Sequence, residues 1–192
     1  MPRVNIRPGE QFVANRPTLI STILGSCVAA CLWDPLTRIA GMNHFMLVNN
    51  RYARNMPLNI SEAGRYGIHA MELLINELMR RGADRKKLRA KAFGGGKVFD
   101  DVKTDNFFCV GEINVRFIQE FLDSENIPLD AADLGGDTGK IIRFRTDTFQ
   151  IYRKNIVRTA SIQIEFKEYS YWQQKLAEPD RGDVVFFNEG FT

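Results

Sequence analysis

Thr18-Leu-Ile-Ser21-Thr22-Ile-Leu24-Gly25-Ser26-Cys27-Val-Ala-Ala-Cys31-Leu-Trp33-Asp34-Pro35-Leu36-Thr37-Arg-Ile-Ala-Gly41-Met-Asn-His44-Phe-Met-Leu47 is the stretch whose reading decides the fold. Residues 18–24 are β-branched and apolar and close on Gly25-Ser26, so they read as a buried strand with turn chemistry behind it. Two further apolar runs, 27–33 and 38–47, flank Asp34-Pro35-Leu36-Thr37, where proline presets the backbone for the second position of a turn. Three successive strands are expected, the last two as a hairpin. With Pro35-Leu36 as a two-residue loop, Asp34 faces Thr37 and Cys27 falls directly opposite His44. Opposed side chains share a sheet face with Cβ atoms roughly 4.5–5.5 Å apart.

That pairing suits covalent catalysis. A free thiol is mostly protonated near neutral pH; a neighbouring imidazole can take its proton and later pass it to a departing amine. Cys27 is the expected nucleophile and His44 its base. A third group usually orients the imidazole, and the hydroxyls of Ser21 and Thr22 are the candidates, of which alternation lets only one point at the site. Gly25 and Ser26 form a tight turn before the nucleophile and are the expected oxyanion-hole residues, with the backbone N–H groups of Ser26 and Cys27 able to point at an oxyanion and Gly25 leaving room for a substrate. Taken singly, Cys27 reads more often as a small buried hydrophobe and His44 as a core histidine; their pairing reverses those readings.

Working outward, Ser61 can cap a helix that carries Ile68, Met71, Leu74, Ile75, Leu78 and Met79 on one face and stops at Gly82. A second helix is expected from about residue 112 to 123, with Ile113, Phe117, Phe121 and Leu122 as its stripe. Residues 140–168 read as several strands. Two helices among some eight short strands with brief connections argue for an α+β fold, a single-domain layered sandwich of mixed or antiparallel sheet. The expected division is a domain over 1–168 and an aromatic-containing extension over 169–192, packed on or beside it.

The 192 residues suit one domain. No secretory leader is apparent, and the run 27–33 is too short to cross a bilayer, so a cytoplasmic protein without membrane insertion is expected. A net charge of +3 is well short of what would favour nucleic acid. Three cysteines cannot all pair internally. Two histidines and no close cysteine pair beyond Cys27 and Cys31 argue against zinc, and neither a metal nor a cofactor is expected. Cys109 reads as core and His69 as structural or solvated. Phe93-Gly94-Gly95-Gly96-Lys97 fails the phosphate-loop spacing and reads instead as a rim, with Phe93, Gly94 and Gly95 lying against substrate. Leu134-Gly135-Gly136-Asp137-Thr138-Gly139 reads as a turn. The basic cluster Arg80, Arg81, Arg85, Lys86, Lys87, Arg89 and Lys91 is a solvated face or, more sharply, a dock for an acidic helix.

With these residues in place, the chain resembles the CheD family of chemoreceptor glutamine deamidases. The resemblance is carried by Thr22-Ile-Leu-Gly25-Ser26-Cys27-Val-Ala29 and Gly41-Met-Asn-His44-Phe-Met-Leu47. It is supported by Pro8-Gly9-Glu10, Ala92-Phe93-Gly94-Gly95, Val110-Gly111-Glu112-Ile113-Asn114-Val115 and Asp133-Leu134-Gly135-Gly136. It implies conversion of glutamines on methyl-accepting chemotaxis receptors to glutamates, with related activity toward receptor methyl esters. The family's catalytic cysteine and histidine fall on Cys27 and His44. Its third residue, a threonine six before the cysteine, falls on Ser21, which keeps a hydroxyl and stands ahead of Thr22 on that ground. The family is similar to the deamidase domains of cytotoxic necrotizing toxins and commonly binds the CheC phosphatase. The contrasting readings are a non-catalytic adaptor for receptor or phosphatase, and a cysteine protease using the same dyad.

Overall fold

A computed structural model of the chain describes residues 1–47, 62–97 and 110–156, then Ile164, Lys167, Glu168, Ser170, Tyr171, Gln173 and Gln174. Nine strands and two long helices follow in the order β1 Arg3–Asn5, β2 Gln11–Ala14, β3 Leu19–Leu24, β4 Val28–Trp33, β5 Ala40–Asn43, α1 Glu62–Arg80, β6 Arg89–Gly94, α2 Val110–Ser124, β7 Leu129–Leu134, β8 Lys140–Arg145 and β9 Ile151–Asn155. The strands form a four-stranded sheet, β1-β3-β8-β9, and a five-stranded sheet, β2-β5-β4-β6-β7. Each mixes one parallel pair, β1/β3 or β6/β7, with antiparallel ones. The fold is α+β, as the pattern of elements predicts.

Two hydrophobic clusters define the layers. One face of the larger sheet, through Val28, Ala30, Leu32, Phe45 and Leu47, packs on the stripes of α1 and α2. The other face, through Cys27, Ala29, Cys31, Met42 and Met46, packs on Ile20, Leu24, Ile142 and Phe144 of the smaller sheet. The larger sheet is therefore covered on both sides, which is why β4 and β5 are buried at every position. β3 belongs to one sheet and β4 to the other, so the Gly25-Ser26 turn carries the chain across the interlayer core and delivers Cys27 into it.

Several sequence expectations change. The hairpin loop spans four residues rather than two. Asp34 N–H bonds the Ile39 carbonyl and Arg38 N–H returns to the Asp34 carbonyl, with Arg38 at φ 62. The Asp34 carboxylate accepts from Leu36 N–H at 2.8 Å, an Asx turn that stabilises the wider loop. Trp33 therefore faces Ala40, and Val28 faces Phe45. Cys27 and His44 become diagonal rather than direct neighbours. The shift is even, so they keep a common face.

Helix α1 buries Met71, Leu74, Ile75 and Leu78 but leaves Met79 exposed. Its expected cap, Ser61, and Cys109 lie outside the described residues, and His69 is exposed. Helix α2 begins earlier than expected, at Val110. Beyond β9 the strand expectation fails: Ile164, Lys167 and Glu168 are helical. The basic cluster is largely consumed by neighbouring acids, Arg85 with Glu72 and Glu125, Arg89 with Asp130, and Arg80 and Arg81 with Glu77.

Candidate active site

Thr22 is buried and faces the interlayer core with Ile20 and Leu24, while Ser21 faces away. The Thr22 hydroxyl donates to the Ile6 carbonyl at 2.8 Å and lies 2.7 Å from His44 Nδ1. Its one proton is spent on Ile6, so Nδ1 must carry the hydrogen and donate to Oγ1. The structure thus places Thr22, not Ser21, at the imidazole; the pleat decides between adjacent residues, and the hydroxyl inherited by position points out of the site.

The main chain of His44 is clamped by β-type bonds, its N–H to the Glu10 carbonyl at 2.9 Å and its carbonyl from Gly9 N–H at 2.7 Å. Nε2 is buried with no hydrogen-bond partner. A nitrogen of the His44 ring, Cys27 Sγ and a Glu168 carboxylate oxygen lie within 4.8 Å of one another. Because Nδ1 is taken by Thr22, Nε2 and its lone pair are what remain for the thiol. Burial holds the imidazole down to about 3, so it is neutral. Burial raises the Cys27 thiol, and the Glu168 charge raises it further, so the resting pair is thiol and imidazole rather than thiolate and imidazolium.

The Gly25-Ser26 turn is held from three directions. Asn114 of α2, fully buried, donates to the Ser26 carbonyl at 2.8 Å and accepts from Leu47 N–H at 2.8 Å, tying the turn to the strand that carries His44. Gly95 N–H and Gly96 N–H bond the Cys27 and Gly25 carbonyls at 2.7 and 2.8 Å. Gly25 N–H and Ser26 N–H, together with the Ser26 hydroxyl, point the other way, onto Glu168 at 2.7, 2.8 and 2.8 Å. Of the donors expected from the sequence, those of Ser26 and Cys27, the Ser26 N–H is joined by that of Gly25, and the two converge on a carboxylate beside the thiol.

The residues expected to line substrate are placed differently. Phe93 is buried in the inter-sheet core. Gly94, at φ 112, lies so close to the Cys27 carbonyl that a Cβ there would stand 2.2 Å from the oxygen. The glycines admit the protein's own backbone and shape the turn behind the nucleophile. Gly95 also opens onto a cleft of about 530 Å³, shared with Lys97, Glu112, Val115, Gly135 and Asp137.

By atom type, Cys27, His44 and Glu168 could hold a metal ion. The carboxylate is already spent on three N–H and O–H donors, which is how a carboxylate binds in an anion hole rather than at a cation. Sequence reading missed Glu168 and gave Asn114 no role. Asn114 sits mid-helix at an otherwise apolar position beside Ile113, a detectable oddity, whereas nothing local marks Glu168.

A thiol, an imidazole oriented by a hydroxyl, and paired backbone donors are the parts of a thiol-dependent acyl-transfer site. Residues 46–155 match the family model described as CheD chemotactic sensory transduction. The chain is 48% identical to a protein of Geobacter sulfurreducens named probable chemoreceptor glutamine deamidase CheD 1, over 94% of this chain and 92% of that one. It is 42% identical to the Shewanella oneidensis protein named probable chemoreceptor glutamine deamidase CheD 2, over 89% and 86% of the two chains. The chain belongs to the CheD family. Among solved structures, Bacillus licheniformis hypothetical protein YfiH matches at a TM-score of 0.38 and 14% identity, over 64% of this chain and 49% of that one, a level from which no relationship is drawn. None of the helices described is long and apolar enough to cross a membrane.

Proposed function

We propose that this protein deamidates glutamine side chains of methyl-accepting chemotaxis receptors, releasing ammonia and leaving glutamate. The observation that carries the reading is the buried Nε2 lone pair of His44, set by the Thr22 hydrogen bond and left for the Cys27 thiol. The names of the relatives supply the substrate class.

In the forward reaction the thiol proton passes to Nε2 as sulfur attacks the amide carbon. The oxyanion is met by Gly25 N–H and Ser26 N–H, and the imidazolium protonates the departing ammonia. Water, deprotonated by the same nitrogen, then hydrolyses the thioester to a carboxylate and restores the thiol. Because the resting thiol is neutral, proton transfer accompanies attack rather than preceding it. A methyl ester enters the same cycle with methanol as leaving group, so receptor methylesterase activity belongs to the proposal. The protein works in the cytoplasm, on a domain spanning 1–168, and a CheC-type phosphatase is the partner that the family resemblance implies.

The test is incubation with a purified receptor cytoplasmic fragment, following ammonia and amide-to-acid conversion by mass spectrometry. Cys27→Ala and His44→Ala should each abolish conversion while the fold is retained. Full activity in either variant sinks the mechanism, chain cleavage would indicate a protease, and binding without conversion would indicate an adaptor.

A further inference from the structure

Glu168 is a buried carboxylate, 2% exposed, that the reaction above does not use. Among the described residues it accepts from neutral donors, Gly25 N–H, Ser26 N–H and the Ser26 hydroxyl, with the Cys27 thiol as a further neutral partner, and no ion pair with a basic side chain accompanies them. Two of those donors are the N–H groups an oxyanion requires, and a carboxylate oxygen reaches within 4.8 Å of the thiol and the imidazole. A glutamate side chain is what deamidation of glutamine leaves behind.

The segment bearing it is seated at further points. Tyr171, one helical turn along from Glu168, has its hydroxyl 3.1 Å from that of Tyr66 on α1. Two glycines make room for the pair. A Cβ at Gly25 would lie 2.7 Å from the Glu168 carboxylate, and one at Gly9, where φ is 83, would lie 2.5 Å from the Tyr171 hydroxyl.

We propose that Glu168 is a built-in product mimic: the C-terminal helical segment closes the site by placing its own glutamate where a receptor glutamine side chain must enter, and substrate has to displace it. The proposal rests on the deamidase reading. Displacement does two things at once. It vacates the donors of Gly25 and Ser26, and it removes a negative charge that opposes thiolate formation at Cys27.

The full-length chain tests this in three variants. Glu168→Ala and Tyr171→Ala should each speed alkylation of Cys27, assigned by peptide mass, by about tenfold or more. On receptor fragment they should lower KM and leave kcat unchanged, as removal of an internal competitor does; a merely structural role would lower kcat as well. Unchanged or slower alkylation in either folded variant overturns the proposal, and Tyr171→Ala keeps the question open to test if Glu168→Ala does not fold. Glu168→Gln presents an amide in place. Cys27 should attack its side-chain carbon and expel ammonia with the proton held by His44, and water should then release a carboxylate, converting the introduced amide to acid. The same substitution combined with Cys27→Ala should stay an amide. Persistence of the amide with Cys27 present overturns the assignment. If Cys27→Ala alone still deamidates receptor, the deamidase mechanism fails instead, while the alkylation rates still report whether the segment covers the thiol.

Discussion

Thr22 Oγ1 lies 2.7 Å from His44 Nδ1 and donates its own proton to the Ile6 carbonyl. A strand of one sheet thereby sets the tautomer of a histidine borne by the other. Thr22→Val keeps the shape and removes the acceptor, so kcat for deamidation should fall about 10- to 100-fold with little change in KM. Thr22→Ser should restore most of it. Ser21→Ala should behave as wild type, because that hydroxyl faces away; steady-state kinetics on receptor fragment separate the three.

Stability should depend on pH through the same buried groups. His44 is held down to about 3 from its usual 6.5, so between those values the unfolded chain binds a proton that the folded chain refuses. Stability is then whole above about 6.5 and is lost as pH falls toward 3, with a slope approaching about 1.4 kcal/mol per pH unit. Cys27 is raised above its usual 9.0, so the unfolded thiol ionises first and stability falls again above about pH 9. Urea midpoints measured across pH should show a plateau between those limits, and His44→Asn should flatten the acid side.

Asn114 makes two buried hydrogen bonds to main-chain groups on either side of the site, Ser26 and Leu47. Asn114→Leu strands both, each costing about 1–3 kcal/mol. Urea unfolding should show a loss of at least about 2 kcal/mol, and the surviving folded fraction should have low kcat because the turn behind Cys27 is released.

Gly94 tolerates no side chain. A Cβ would sit 2.2 Å from the Cys27 carbonyl oxygen, and φ is 112, outside what other residues adopt comfortably. Gly94→Ala should cost more than about 2 kcal/mol of stability, as expected of a strained core position, and should lower the thermal midpoint accordingly, whereas Gly136→Ala, with nothing within 4 Å but φ 85, should cost less.

Most of the candidate site was legible in residues 18–47. The strands β3, β4 and β5, the turn ahead of Cys27 and the shared face with His44 all follow from β-branched runs broken by Gly25-Ser26 and Asp34-Pro35. The hairpin register was not legible, because the Asp34 side chain bonds Leu36 N–H and its other oxygen accepts from Asp84 N–H at 3.0 Å. The second of these contacts comes from a partner fifty residues away, and no local turn rule contains it. Met79 satisfies the helical period yet is exposed, since period places a residue on a face but not under a neighbour.

Sequence by itself determined that Cys27 and His44 share a face, because strand alternation is a local property that survives any even change of register. Only the tertiary structure decided that Thr22 rather than Ser21 orients the imidazole, since that choice depends on which face of β3 packs on the second sheet. It alone brought Glu168 to Gly25 and Ser26, because a carboxylate meeting a turn more than a hundred residues earlier leaves no pattern in either segment.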